Sequence, residues 1–338
     1  MFAPPPLPRT LEASLRDLGS QKPDVRRSAI SDLLRHALRD DAVKEKAVPL
    51  IAKALGDGVA QVRSTAAIAL ADLGAPAALP ALLVAVEDDD PYVREMSLSA
   101  LGEIGDSRAA PRLLRSLDDA RPEVRYQAVI AYPRCAKDEA DVGQALTRAF
   151  ADDEAKVRYI ALRVAEENAK KLPEAAFVAA EKRLADDDAE VVLAAAILLA
   201  PRGHEEARAL VAEVVRTGKV RGKKPAREDE AEAVELSGAL GLRDLTADLE
   251  RRAFGLGRFF GDTCKFHARI ALARLGHARA AKEIYQELEA TTKGTREAAV
   301  VAAGRARMKG AKPKLTALRG DVDDALIDEA LALLERAP

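Results

Sequence analysis

Tryptophan is absent from the 338 residues, aromatic side chains amount to 4%, and there are two cysteines. A large sheet sandwich or a single big core draws on aromatic and β-branched volume, so the first two deficits argue against both. Ala, Leu and Val carry most of a 48% hydrophobic content, which suits thin layers of helix. Cys135 and Cys264 lie far apart in sequence and supply neither a disulfide framework nor a thiolate metal cluster, so a reducing compartment is expected. Long apolar runs are missing as well. The longest, Val191 to Ala200, is about half of the roughly 20 residues that a membrane span needs. The N-terminus has a proline run (Pro4, Pro5, Pro6, Pro8) where a secretory leader would be apolar. The expectation is a soluble, cytoplasmic, all-α protein with no membrane contact.

Charge is abundant but balanced: 53 Lys and Arg against 55 Asp and Glu, net −2, with no global signature of a nucleic-acid or membrane binder. The balance is uneven along the chain. Residues 1–190 hold 27 basic against 33 acidic side chains, and residues 191–338 hold 26 against 22.

What the chain does have is one recurring phrase: Pro23-Asp-Val-Arg26, Ala60-Gln-Val-Arg63, Pro91-Tyr-Val-Arg94, Pro122-Glu-Val-Arg125 and Ala155-Lys-Val-Arg158. The arginines are 37, 31, 31 and 33 residues apart, and a sixth copy puts Val192 where Arg would stand, 34 residues after Arg158. A period in the thirties signals stacked supersecondary units instead of two globular domains. Within one unit, Val62, Ala66, Leu70 and Leu73 share a helical face and Gly74 ends it. A second apolar stretch, Leu79 to Val86, follows. The acidic turn Glu87-Asp-Asp-Asp90 then leads into Pro91, a residue suited to the first position of a helix. Each unit therefore reads as two antiparallel helices.

This unit resembles the HEAT repeat, in the short bacterial form associated with phycobilisome lyases. The resemblance rests on Asp90 to Arg94, on Leu98, Leu101 and Gly102, and on the connector Gly105 to Pro111 with Leu113, Leu114 and Leu117 after it. It is strong over about residues 22–190 and weaker beyond, where Gly276 to Ala281 and Met308 to Pro313 echo the connector. The resemblance implies a right-handed α-solenoid of about nine to ten stacked helix pairs. The expected organisation is a Pro-rich cap at 1–20, regular repeats at 21–190 and degenerate repeats at 191–338. The last part carries a charged insertion at 216–235 and a Phe/Gly segment at 254–261. The resemblance also implies an inter-repeat ladder formed by Asp57, Arg63, Asp88, Arg94, Asp119, Arg125, Asp152 and Arg158, in which each Asp stands six residues before an Arg. These are read as structural residues.

Sites for chemistry are few. Gly255-Leu-Gly257-Arg-Phe-Phe-Gly261 has its third glycine one residue late for a dinucleotide loop, and Gly218 to Lys224 lacks P-loop spacing. Only Cys264 and His267 stand at a helical i, i+3 spacing that could begin a metal site, and two ligands do not complete one. HEAT-like deoxyhypusine hydroxylases use several His-Glu pairs, whereas this chain has only His204-Glu205; HEAT-like DNA glycosylases use tryptophan, which is absent. No enzyme, no cofactor and no metal is expected.

Three surfaces remain. In the resembled fold the second helix of each pair lines the concave face. Aligning these helices on their last apolar residue puts Lys53, Val84, Arg115, Arg148 and Lys182 in one row, with Arg112 close by. Such a row reads either as ordinary solvated charge or as a basic groove for an acidic protein segment or a phosphate backbone. Second, Lys219, Arg221, Lys223 and Lys224 form a basic stretch that Gly218, Gly222 and Pro225 mark as a loop, followed by the acidic run Glu228 to Glu235. Third, four of the seven phenylalanines fall between Phe254 and Phe266, and Phe259 and Phe260 are either a packed plug or an interface. The expected function is a non-catalytic scaffold or adaptor that binds a partner protein through the groove and the irregular C-terminal half. A nucleic-acid binder using the basic row, or a lyase-type accessory protein, is the alternative.

Overall fold

A computed structural model describes residues 9–255 and 264–335 of the chain. It divides into two compact units, Met1–Ala179 and Ala180–Pro338. Among the described residues there are helices and two isolated β-bridges but no strand.

The first unit begins with α1 (Leu11–Asp17) and continues as helix pairs: α2 (Pro23–Ala37) with α3 (Asp41–Ala54), α4 (Ala60–Leu73) with α5 (Leu79–Ala85), α6 (Pro91–Ile104) with α7 (Ala110–Ser116), and α8 (Pro122–Cys135) with α9 (Glu139–Ala149). Next comes α10 (Ala155–Glu167), and α11 (Glu174–Glu181) carries the chain past the boundary. The second unit holds α12 (Ala189–Leu199) with α13 (Glu205–Thr217), α14 (Arg227–Ala239) with α15 (Thr246–Phe254), α16 (Lys265–Arg274) with α17 (Ala278–Glu287), and α18 (Lys293–Arg305) with α19 (Lys312–Ala317). Helix α20 (Asp324–Glu335) closes it. Each unit is α-solenoid: first helices pack on first helices of the next repeat, α2 on α4, α4 on α6 and α6 on α8, and likewise α14 on α16 and α18 on α20.

The local reasons repeat with the sequence. Val62, Ala66, Leu70 and Leu73 are all buried on one face of α4, and Val93, Leu98 and Leu101 on the same face of α6. Gly74 and Gly105 end these helices in the left-handed region. The Asp90 side chain accepts from the Tyr92 and Val93 N–H groups at 2.9 and 3.2 Å, and Pro91 fills the position where no N–H is needed. In the second unit two histidines take the capping part: His204 and His277 accept through Nδ1 from Ala207 and Ala280, each just after a left-handed glycine.

Stretch 216–235, read from sequence as a charged insertion, folds differently. Arg216 and Thr217 finish α13, and Arg227 to Glu235 belong to α14, so only a short turn lies outside helix. The acidic run fits there because carboxylates in a first helical turn meet the positive end of the helix dipole.

Candidate functional site

Four Val-Arg arginines of the first unit, Arg26, Arg63, Arg94 and Arg125, each have the guanidinium planted in the next repeat. Arg26 Nε and Nη2 donate to Asp57 at 2.7 Å, Arg63 to Asp88 at 2.7 Å, Arg94 to Asp119 at 2.8 and 2.9 Å, and Arg125 to Asp152 at 2.7 Å. The third nitrogen reaches backward. Nη1 of Arg63, Arg94, Arg125 and Arg158 donates to the backbone carbonyls of Asp57, Asp88, Asp119 and Asp152 at 2.8–2.9 Å. Each aspartate also accepts from the N–H two residues on, at 2.9 Å. The spacing of six thus marks the arginine-to-carbonyl bond, while the carboxylate belongs to the arginine of the repeat before.

All four carboxyls titrate below the ordinary aspartate value. For Asp57 the Arg26 guanidinium is the main cause. For Asp88, Asp119 and Asp152 burial is the largest influence and pushes upward, but the guanidinium and the backbone N–H together outweigh it. Because the folded values are lowered, the stabilisation is complete above about pH 4 and is lost as pH falls through them. Asp119→Asn is therefore expected to cost about 2 kcal/mol at neutral pH. It should also make the further loss in acid shallower than wild type, as read from urea midpoints at neutral and acid pH. An unchanged acid slope would contradict the lowered Asp119 value.

Above this ionic floor stands the outward face of the second helices. The row placed there by alignment is exposed at Lys53, Arg115 and Arg148, with Arg112 half-buried. It is not a bare positive stripe. Arg112 pairs with Glu87, Arg115 Nη1 lies 3.7 Å from the same carboxylate, and Arg148 pairs with Asp118. The acidic turn of one repeat thus reaches the basic residue of the next, which an alignment of second helices alone does not reveal. These pairs are exposed and weak, so they leave the side chains available to a partner.

The part missed from sequence is apolar. Val84 is 74% exposed, and Leu50 and Leu114 are each 39% exposed, on the successive helices α5, α3 and α7. Pro49, Pro80 and Pro111 are exposed beside them, and α5 carries no charged residue. Grooves run between these helices. One of about 610 Å³ is lined by Leu55, Ala81, Val84 and Glu87, and others of about 270 and 320 Å³ open beside Leu50 and Arg148. The anomaly was visible in the row itself, where Val84 is the one uncharged member.

Other singled-out residues lie in the second unit. Lys182 is exposed at the start of a 3-10 turn, Lys182–Ala185. Lys219, Arg221, Lys223 and Lys224 are exposed on the turn between α13 and α14. Phe259 and Phe260 lie outside the described residues. Cys264 is buried, and His267 Nδ1 is 2.5 Å from Glu235 Oε1, which also accepts from Arg305 at 3.0 Å.

Residues 48–133 and 81–166 match the family model described as HEAT repeats. Residues 48–166 are HEAT repeats. No curated protein matches the chain. Among solved structures, the CpcE and CpcF complex of phycocyanin lyase from a Nostoc species is 22% identical, covering 71% of this chain and 91% of that one, with a TM-score of 0.45. A designed armadillo repeat protein in complex with the peptide (KR)4 is 21% identical, covering 57% of this chain and 99% of that one, with a TM-score of 0.43. The HEAT repeats supply a platform of stacked helices for interaction, and among the described residues no helix is long and apolar enough to cross a membrane.

Proposed function

We propose that the chain is a non-catalytic docking scaffold whose first unit binds a partner protein on the outward face of α3, α5, α7 and α9. The observation that carries this is which side chains those helices leave exposed: Leu50, Val84 and Leu114 together with Lys53, Arg115 and Arg148, with Glu87 and Asp118 next to the last two. Exposed apolar side chains among charged ones are what a protein interface is built from. Stacking does not call for them, since the buried side of each helix already holds the repeats together. A phosphate backbone suits the face less well, because Glu87 and Asp118 sit among the cations it would need. Cysteine nucleophilicity is also suppressed at Cys135, where burial pushes the thiol up to about 11 and Sγ is 3.4 Å from the Leu101 carbonyl.

The test places a photo-crosslinking amino acid at Leu114 in the native cell and identifies the adduct by mass spectrometry. Val84→Glu is expected to abolish one specific protein adduct while changing stability by no more than about 0.5 kcal/mol, since the side chain is exposed. Survival of the same adducts in Val84→Glu, or recovery of nucleic acid in their place, would reject this face as a protein site.

A further inference from the structure

Turns between repeats are acidic from Asp57 to Asp188: Glu87 to Asp90, Asp118 and Asp119, Asp152 to Glu154, Asp186 to Asp188. At the next equivalent turn the sign inverts, and Gly218-Lys-Val-Arg-Gly-Lys-Lys224 connects α13 to α14. The turn is firmly built. Val220 is fully buried and exchanges two backbone hydrogen bonds with Lys223, at 2.9 and 3.0 Å. Arg221 and Gly222 both take positive φ, 48° and 78°, the geometry of a tight reversal in which Asn, Asp or Gly usually stands first. An arginine at that tip is held with its side chain outward.

Internal contacts account for only some of these cations. Arg221 donates to Glu206 at 3.2 Å, and Lys223 Nζ donates to the Asp187 carbonyl at 3.2 Å. Among the described residues Lys219, Lys224 and Arg227 have no ion-pair partner, and all three are exposed. The acids that follow do not all answer them. Asp229 and Glu230 are 2% and 4% exposed, turned into the unit, with Glu230 paired to Arg252. Glu228 is exposed and Glu232 half-buried in the first turns of α14.

We propose that the turn from Lys219 to Arg227, on the second unit, binds a short acidic segment of a partner protein, an inference that does not rest on the first-unit face. The patch is confined to one turn. Asp186 to Asp188 precede it by one repeat, and Glu228 and Glu232 follow it, so a nucleic-acid strand with a charge on every nucleotide would meet carboxylates on leaving the patch. A few carboxylates flanked by neutral residues meet no such repulsion, and Lys and Arg side chains on a preformed turn pair with them at little ordering cost.

The probe is fluorescein-labelled hexaglutamate, read by anisotropy on the full chain, with labelled hexathymidylate as the phosphate counterpart. Hexaglutamate binding is expected to weaken with salt. It should fall at least about tenfold in Lys219→Glu/Lys224→Glu and less in Lys219→Gln/Lys224→Gln. Lys282→Glu/Lys309→Glu, which changes net charge equally elsewhere in the same unit, should leave it intact. Equal losses in both Glu pairs, no binding at all, or tighter hexathymidylate binding lost in the same variant would each overturn the proposal.

Discussion

A chain carrying Gly238→Leu is expected to lose about 3 kcal/mol of stability, seen as a lower urea midpoint and faster amide exchange in α14 and α16. Gly238 lies inside α14, where glycine is ordinarily unfavourable by about 1 kcal/mol relative to alanine. Its reason is the neighbouring helix. A Cβ at this position would stand 2.6 Å from Ala271 Cα and 2.7 Å from Ala271 O, so the obstacle is backbone that no rotamer change can move. The same device recurs where Gly102 faces Ala131 and Gly304 faces Ala330. Small residues let first helices of successive repeats approach closely, which is how a chain so poor in aromatics still builds a continuous core. Gly294→Ala is the matched control: nothing lies within 4 Å of its added Cβ, and α18 should be unchanged or slightly more stable. A Gly238→Leu variant as stable as that control would mean the helices can separate without cost.

The repeat was legible because stacking restricts residues at fixed offsets. Val62, Val93, Val124 and Val157 are buried, and Arg26, Arg63, Arg94 and Arg125 reach the next turn, so both residue types recur at the period of the fold. The partner of each arginine was less legible, since Arg94 and Asp119 are separated by a loop and a second helix whose lengths vary between repeats. The proposed docking face was only half visible. Alignment identifies which residues of the second helices stand at equivalent positions, but whether their charge is free depends on Glu87 and Asp118 reaching across from the preceding turn. The exposure of Leu50, Val84 and Leu114 escaped notice because an apolar residue in a helical ladder reads as core until its exposure is known. The basic turn misled for another reason. Gly218, Gly222 and Pro225 are loop residues by propensity, yet here two glycines with left-handed φ and a buried proline make a tight, fixed reversal.

The second large effect concerns the rung that the sixth repeat gives up. Val192 occupies the arginine position, six residues after Asp186, just as Arg125 stands six after Asp119. In the regular rungs the carboxylate lies 25–31 residues beyond the arginine. Counting on from Val192 by a comparable distance reaches Val220, and both valines are fully buried. Whether these two valines act together as an apolar replacement for the ion pair, a substitution that buried pairs tolerate when both halves change together, is open to a direct test. Val192→Arg alone is expected to cost about 3–5 kcal/mol, because its guanidinium would be buried without a carboxylate. Val220→Asp alone should be damaging for the same reason with opposite charge. In the double variant the arginine would find Asp at 220 and the Asp186 carbonyl, as Arg125 finds Asp152 and the Asp119 carbonyl, so the two losses should not add. A double-mutant cycle by urea unfolding measures the coupling, with about 2 kcal/mol or more expected in favour of the pair. Strict additivity would show that the two valines are not halves of one rung. In that case the basic turn that Val220 anchors would owe its position to contacts other than the lost ladder step.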